Sequence, residues 1–259
     1  HTNTRVLCMP ENMTTALAFI LGFAWGSFLN VCIARLPKGE DLFFQRSSCP
    51  ACHTQLRWHQ NIPVLSWIAL RGKCASCQAP IPLLYPFIEF GTGCVIGVST
   101  LNFGGSVELA LFLLFFSSLL VASVIDIQLQ IIPNRLTYPF LFLGWGQAFI
   151  AQNTLFANFS QSVLGSIVGG GMLWSVAKLY RKIRAKEGIG LGDAKFLAMI
   201  GAWLGWEAIP LILVIASTSA LLLATISMVQ KRITWDTPLP FGPFLSLGSA
   251  VYLFIQGSF

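Results

Sequence analysis

Two aspartates stand where acidic residues are costly, at the ends of apolar segments. Asp126 closes a long apolar run, and Asp193 follows the glycines of Gly190-Leu-Gly192. A charged residue at the centre of a membrane helix costs about 2.5–3.5 kcal/mol, so such carboxylates are rare and usually functional. Two close carboxylates share one proton: the charged member can take a proton from water while the protonated member polarises a carbonyl. Because glycines allow close backbone approach, the pattern predicts an aspartate dyad that activates water.

Each aspartate also has a purely structural interpretation. Asp is favoured at the N-cap of a helix, and a helix is expected to begin near Asp193. Asp126 could be a solvated helix end. For one residue alone these interpretations are as good as the functional one, but the two aspartates together favour a dyad. Lys195, two positions after Asp193, could bias the shared proton or could only extend its ammonium group to the membrane surface.

Four cysteines form a second constellation, in two Cys-x-x-Cys pairs separated by twenty-one residues: Cys49, Cys52, Cys74 and Cys77. Four thiolates in a tetrahedron bind Zn²⁺, and a site closed by four cysteines is structural rather than catalytic. The alternative is a pair of disulfides, which a reducing compartment disfavours. The spacing therefore predicts a structural zinc ion.

The elements that carry these residues are apolar spans. Of the 259 residues, 55% are hydrophobic and only 10% charged, whereas soluble domains carry about 25% charged residues. Because about 20 apolar residues cross a bilayer, we expect an all-α polytopic membrane protein with about eight transmembrane helices. The expected spans are 14–34, 83–101, 108–126, 135–152, 161–180, 194–206, 208–229 and 240–256.

The positive charges predict the orientation. With these spans, every one of the sixteen Lys and Arg residues except Arg5 falls on one side of the membrane. Cytoplasmic loops carry an excess of Lys and Arg, so this side is expected to be cytoplasmic. Asp126 and Asp193 then lie at the cytoplasmic face of a bacterial inner membrane, and both termini are periplasmic. The net charge of +6 follows from this topology and requires no nucleic-acid partner.

Three domains are predicted from the change in composition along the chain. Residues 1–34 form an N-terminal segment and the first span, 35–82 a polar cytoplasmic loop with the four cysteines, and 83–259 a membrane domain with both aspartates. A loop of under 50 residues buries little core of its own, so a metal is expected to hold it together.

Beyond the cysteine pairs and the two aspartates, several stretches occur in one order along the chain, and in them the sequence resembles the type IV prepilin peptidases. The matching stretches run from about 26 to 248: Gly26-Ser-Phe-Leu-Asn-Val-Cys-Ile-Ala-Arg-Leu-Pro37, Asn61-Ile-Pro63, Ser66-Trp67, Leu70-Arg-Gly-Lys-Cys74, Tyr85-Pro-Phe-Ile-Glu89, Ile132-Pro133, Gly190-Leu-Gly-Asp193-Ala-Lys195 and Pro240-Phe-Gly-Pro243. One departure is visible, because Asn134 stands where family members often carry Asp.

This resemblance implies a GxGD-type intramembrane aspartic protease with Asp126 and Asp193 as the dyad. The implied substrates are type IV prepilins or type II secretion pseudopilins, whose basic leader is cut at the cytoplasmic face. The segment Pro240-Phe-Gly242-Pro243 would break the start of the last span; it could line the substrate groove or be an ordinary entry into a helix.

The resemblance also implies a methyltransferase that uses S-adenosyl-L-methionine to methylate the new N-terminus. This activity would involve the cysteine loop and its neighbours. Glu89 is a candidate to contact the amine or the methyl donor; equally, it could be a membrane-edge carboxylate paired with a nearby arginine.

Other classes make different predictions. A peptidase without methyltransferase activity is the narrow alternative. A proton-coupled carrier would place its carboxylates at mid-membrane and show repeat symmetry, but no internal repeat is visible. In an assembly protein the aspartates would only cap helices, and Asp193→Asn would be harmless because Asn caps about as well as Asp.

Overall fold

The computed structural model describes residues 11–42, 44–104, 106–150, 155–184, 190–231 and 237–256. Arg5, Lys186 and Arg232, three of the cations used to predict the orientation, lie outside these ranges. The described part of the chain contains α-helices and one short 3-10 turn, with two isolated β-bridges and no strand. The helices are α1 (Glu11–Arg35), α2 (Leu65–Ala69), α3 (Leu84–Phe103), α4 (Val107–Leu129), α5 (Asn134–Ile150), α6 (Phe159–Arg184), α7 (Leu191–Leu204), α8 (Ala208–Val229) and α9 (Gly242–Ile255).

The eight predicted spans correspond to α1 and α3–α9, which confirms the all-α membrane fold. Within the described ranges, five helices are long and apolar enough to cross a bilayer: Thr14–Arg35, Leu84–Phe103, Val107–Leu129, Phe159–Ile183 and Ala208–Val229. Helices α5, α7 and α9 have 17, 14 and 14 residues, less than the usual length of a span. The number of crossings therefore stays a prediction.

The chain divides into two compact units. The first contains the chain up to Arg35 and the segment Asp41–Leu109. In it, α1 and α3 pack closely and antiparallel, because Gly22 and Gly26 of α1 face α3 backbone. A Cβ atom at Gly26 would stand 2.7 Å from the Cα of Glu89. Small residues let membrane helices approach in this way, and here the approach brings Glu89 to α1.

The polar loop of this unit contains two turns with the same backbone pattern. In each, the first cysteine accepts a hydrogen bond from the residue after the second cysteine: His53 N–H donates to Cys49 O, and Gln78 N–H to Cys74 O. His53 and Gln78 both have positive φ, 56° and 60°. The repeated turn folds each Cys-x-x-Cys pair so that its two sulfurs point the same way, as in zinc knuckles.

The second unit contains Leu36–Glu40 and Ala110–Phe259. Its central helix is α7, which packs against α5, α6, α8 and α9. The side chains of Phe196, Leu197, Met199, Ile200 and Trp203 are fully buried. A helix that is apolar on most sides belongs in the interior, as α7 does. Close packing against α6 is possible because Gly165 and Gly201 face each other's backbone.

Candidate active site

Asp126 lies in the last turn of α4, in the second unit, and is only 4% exposed. Its Oδ2 accepts a 2.8 Å hydrogen bond from the backbone N–H of Gly242, the first residue of α9. The N-terminal N–H groups of a helix have no partner within the helix and favour negative charge nearby. A Cβ atom at residue 242 would lie 2.9 Å from Asp126 Oδ2, so the contact requires glycine.

Asp193 lies in the first turn of α7 and is half-buried. A helix begins near Asp193, as expected, but it starts at Leu191 with Gly190 as its N-cap, so the interpretation of Asp193 as the cap is wrong. The Asp193 carboxyl group is close enough to Asp126 for the two to interact electrostatically. Two elements, the end of α4 and the start of α7, thus bring the predicted pair together.

Ile132 packs between the two glycines that border the pair. A Cβ atom at Gly192 would meet the Ile132 Cβ at 3.4 Å, and one at Gly242 would meet its Cδ1 at 3.3 Å. The side chain is 8% exposed. Ile132 therefore sets the spacing of α7 and α9 beside the carboxylates. In the sequence it is an ordinary apolar residue after a helix, and no signal in the residue type marks this contact.

The side chain of Lys195 contacts two residues of α5. Its Nζ donates a 2.9 Å hydrogen bond to Asn134 Oδ1 and lies 5.6 Å from the centre of the Tyr138 ring. Asn134 is the residue at which the sequence departs from the family pattern. It is also the hydrogen-bond partner of Lys195, the last residue of the Gly-Leu-Gly-Asp-Ala-Lys motif. In the sequence, this departure carries little weight because Asn134 is not at the position of a predicted catalytic aspartate; the contact with Lys195, 61 positions away, is visible only in the structure.

A hydrogen bond connects the non-helical segment before α9 to the residue that follows α4. Gln130, with φ 55°, donates from its Nε2 to the carbonyl of Pro238 at 3.0 Å. Pro240 lies in this non-helical approach, and Pro243 is in the first turn of α9, where a missing N–H is tolerated. The two prolines thus end the irregular segment and place the N–H of Gly242 at Asp126.

Glu89 belongs to the first unit and is 9% exposed. Its Oε2 accepts a 2.7 Å hydrogen bond from the N–H of Val64, and the side chains of Ser27 and Asn30 also bond to it. The alternative that Glu89 pairs with a nearby arginine is therefore not what the structure shows. Its partners are neutral, and they join α1, α3 and the polar loop.

The four cysteines of the loop form one cluster, in which all Sγ atoms lie within 4.8 Å of one another. Cys49 Sγ and Cys77 Sγ are 3.8 Å apart. Sulfurs at the corners of a tetrahedron with metal–sulfur bonds of about 2.3 Å are about 3.8 Å apart, so the geometry fits a tetrahedral metal. It does not fit disulfides, and all six cysteines of the described residues are unpaired.

The thiols of the cluster differ in acidity. A hydrogen bond with Thr54 lowers the pKa of Cys52 to about 6, and backbone N–H groups of Cys77 and Ser76 lower the pKa of Cys74. For Cys52 and Cys74 these interactions favour the thiolate, the form that binds a metal, whereas the neighbouring sulfurs and burial raise the pKa of Cys77 to about 11. Because crowded thiolates repel one another, a divalent cation at their centre is the natural counter-charge.

Two families match the chain. Residues 20–103 match the Bacterial Peptidase A24 N-terminal domain, and residues 113–225 match the Type IV leader peptidase family. The first match covers the unit with the cysteine cluster and Glu89, and the second covers α7 and both aspartates. No solved structure matches the chain.

Proteins named prepilin leader peptidase/N-methyltransferase are similar over most of the length. One from Stutzerimonas stutzeri is 38% identical over 91% of this chain and 89% of its own. One from Burkholderia pseudomallei is 38% identical over 97% of this chain and 88% of its own. One from Pseudomonas aeruginosa is 36% identical, over 90% and 88%. With both family matches and this coverage, the chain belongs to the type IV leader peptidase family.

Proposed function

We propose that this protein cleaves the leader peptide of type IV prepilins or type II secretion pseudopilins and then methylates the new N-terminal residue. Family membership and the names of the relatives support both activities. The observation that best supports the peptidase activity is that Asp126 is buried, accepts a hydrogen bond from a backbone N–H and lies close to Asp193.

In the proposed cleavage, Asp126 and Asp193 share one proton. The charged carboxylate takes a proton from water, which attacks the peptide carbonyl carbon, while the protonated carboxyl group polarises the carbonyl oxygen. The proton is then given to the amine that leaves. The Gly242 N–H fixes the direction of the Asp126 carboxylate, and Ile132 keeps α7 and α9 at a constant spacing. Gly190, Gly192, Pro240 and Pro243 support this geometry rather than take part in the chemistry.

The protein is a multi-pass inner-membrane protein, as its apolar helices and its family indicate. We further propose that the dyad faces the cytoplasm and that both termini are periplasmic. Support comes from the cations, since all Lys and Arg residues except Arg5 fall on one side of the predicted spans. Membrane lipid then surrounds the exposed apolar side chains, and the substrate presents its leader from the same side as the dyad.

The metal at the four cysteines is proposed to be zinc. A Cys₄ tetrahedron is the typical structural zinc site. Bound there, the ion would hold the loop 35–82 together, and Cys49, Cys52, Cys74 and Cys77 would supply all its ligands. Residues 1–34 are proposed to form the N-terminal segment and the first membrane helix, 35–82 the zinc-binding domain associated with methylation, and 83–259 the membrane peptidase domain.

S-adenosyl-L-methionine is the proposed methyl donor; when bound, it supplies an electrophilic methyl group. Glu89 is the protein residue that is proposed to contact the amine or the methyl donor. The hydrogen-bond partners of this buried carboxyl group are all neutral, so its ionised form can pair with a cationic reactant. The proton-coupled carrier is not favoured, since the relatives are named as peptidases and methyltransferases.

The test is cleavage of a purified prepilin in detergent by the wild type, Asp126→Asn and Asp193→Asn, followed by mass spectrometry. We expect the wild type to release the leader and both variants, still folded, to lose at least roughly 1000-fold in rate, as when a catalytic acid or base is removed. Asp41→Asn, at an exposed loop aspartate, is the matched control. Normal cleavage by Asp193→Asn would support the assembly-protein alternative. A +14 Da product with S-adenosyl-L-methionine would establish the methyltransferase.

A further inference from the structure

The Glu89 carboxyl group is buried and has no positively charged partner among the residues that the structure describes. Its hydrogen-bond partners are the Val64 N–H and the side chains of Ser27 and Asn30, and no Lys, Arg or His of the described residues forms an ion pair with it. Neutral hydrogen bonds orient a carboxylate but do not cancel its charge, and charges in membrane helices are usually paired. A cation from outside the chain would complete this site.

A second buried polar group lies beside Glu89. The Thr92 hydroxyl, one turn further along α3, is 0% exposed and has no hydrogen-bond partner within the described part of the chain. Thr92 and Glu89 both pack on Gly26 of α1: a Cβ atom there would stand 2.7 Å from Glu89 Cα and 3.1 Å from Thr92 Cβ. Ser27, Asn30, Glu89 and Thr92 therefore form one polar cluster between two membrane helices, which we call the α1–α3 cluster. A buried hydroxyl without a partner is destabilising, so a ligand that bonds to it is favoured.

The polar loop covers this cluster through a strained residue. Val64 has φ 61° and ψ −51°, a conformation that β-branched residues avoid, and its N–H points at Glu89. Asn30 Nδ2 also donates to the carbonyl of Tyr85, at 3.1 Å. Strained residues of this kind are uncommon and cluster at functional sites. The loop that carries the cysteines is thus connected directly to the α1–α3 cluster.

We propose that the α1–α3 cluster binds the primary ammonium group of a methyl-transfer reactant. The oxygen atoms of the cluster can accept further hydrogen bonds, so the ligand must supply N–H groups. An ammonium group has N–H groups, whereas the sulfonium group of the methyl donor has none. Its positive charge also compensates Glu89. Two reactants carry such a group, the N-terminus of the cleaved substrate and the amino-acid end of the methyl donor. The inference rests on the proposed methyltransferase and is independent of the aspartate dyad.

The decisive variant is Glu89→Gln, because glutamine keeps the shape of the side chain and an oxygen that can accept the Val64 N–H, but removes the charge. Methyl transfer, leader cleavage and equilibrium binding are measured for the wild type, Glu89→Gln, Glu89→Ala, Thr92→Val and the control Glu108→Gln. The binding probes are S-adenosylhomocysteine, the mature N-terminal peptide and its N-acetylated form, which has no ammonium group.

For Glu89→Gln we expect methyl transfer to fall roughly 100-fold, the size of effect seen when one partner of a buried charge pair is removed. Leader cleavage stays within about twofold of the wild type. Thr92→Val loses roughly tenfold in methyl transfer, as expected for one hydrogen bond. Weaker binding of the mature peptide, with the acetylated peptide unaffected, identifies the substrate amine as the ligand. Weaker binding of S-adenosylhomocysteine identifies the donor.

Normal methyl transfer by Glu89→Gln, with loss only in Glu89→Ala, would show that Glu89 merely positions Val64 and would overturn the proposal. Unchanged binding of both ammonium probes by Glu89→Gln would overturn it as well. If the wild type forms no +14 Da product, the proposed methyltransferase itself is wrong and the inference falls with it. The first two results would contradict the inference but not the proposed methyltransferase activity, so failure of the inference and failure of the proposed function are distinguishable.

Discussion

At the scale of single residues, the proposed peptidase depends on a backbone group. The carboxylate of Asp126 is directed by the N–H of Gly242, 116 positions away, and the space between them admits no side chain. A backbone N–H is fixed by its helix and costs no side-chain entropy to orient. A catalytic carboxylate held in this way is preorganised for the transition state.

Gly242→Ala is expected to lower kcat/KM for leader cleavage roughly 10- to 100-fold. The added Cβ would stand 2.9 Å from Asp126 Oδ2 and push the carboxylate off the N–H, and a hydrogen bond to a charged group contributes about 1.5–3 kcal/mol. The measurement is steady-state cleavage of a leader peptide. Gly171→Ala is the matched control, because a Cβ there meets nothing within 4 Å. Equal activity of both variants would contradict the role of Gly242.

Asn134→Asp is expected to stabilise the protein by about 0.2–1 kcal/mol, the usual range for an exposed ion pair. The new carboxylate would replace an amide oxygen 2.9 Å from Lys195 Nζ and form an ion pair with it. Thermal unfolding in low and high salt is the measurement, and the gain should shrink as salt screens the pair. In a Lys195→Met background the same substitution should give no gain; a gain there would exclude the pairing.

At the scale of elements, the polar loop has few means of folding alone. The regular structure of its described residues is one 3-10 turn, the five-residue helix α2 and two isolated bridges. The Trp67 indole donates to the carbonyl of Ile81 and covers Gly72, which gives the loop a small apolar centre. So small a centre supplies little stability, and the four-cysteine cluster is the largest remaining contribution.

Cys52→Ser is expected to reduce bound zinc from about one ion per chain to a small fraction and to unfold the loop, because a hydroxyl is a poor zinc ligand and metal binding supplies folding free energy here. Metal content by mass spectrometry and limited proteolysis within 35–82 are the measurements. Cys94→Ser removes a thiol of α3 outside the cluster and should retain the metal. Full metal content in Cys52→Ser would contradict a Cys₄ site.

At the scale of the whole molecule, function depends on which side of the bilayer the dyad faces. The end of α4 and the start of α7 meet in the second unit, and the predicted topology puts both at the side that carries the cations. A substrate with a basic leader is retained on the cytoplasmic side by the same charge rule that orients the enzyme. Enzyme and substrate would then share one orientation.

Reporter fusions test this orientation. Alkaline phosphatase, which is active only after export, should be active when fused after Ser106 and inactive when fused after Lys38. A fusion at the C-terminus should be active as well, because an even number of spans returns the chain to the side on which it began. Activity after Lys38 would reverse the topology and remove the dyad from the cytoplasmic face.

Much of the architecture could be predicted from local sequence. Apolar runs become helices because a bilayer requires every backbone polar group to be bonded within its own segment. The two Cys-x-x-Cys pairs predict their cluster because each pair is folded by bonds between residues at most five apart. Asp126 and Asp193 can be identified in the sequence because a charged carboxylate is energetically costly in an apolar segment. Their pairing is supported only by family membership and by the geometry.

The sequence by itself determined the membrane class, the helical segments, the cysteine cluster and the residues that carry charge into the bilayer, because each follows from composition or short spacing. Only the tertiary structure decided which partners those residues meet. Gly242 reaches Asp126, Val64 reaches Glu89, Asn134 reaches Lys195, and α7 is buried among its neighbours. Such contacts depend on how closely helices approach, and that is decided by packing between residues far apart in the chain, which no local pattern records.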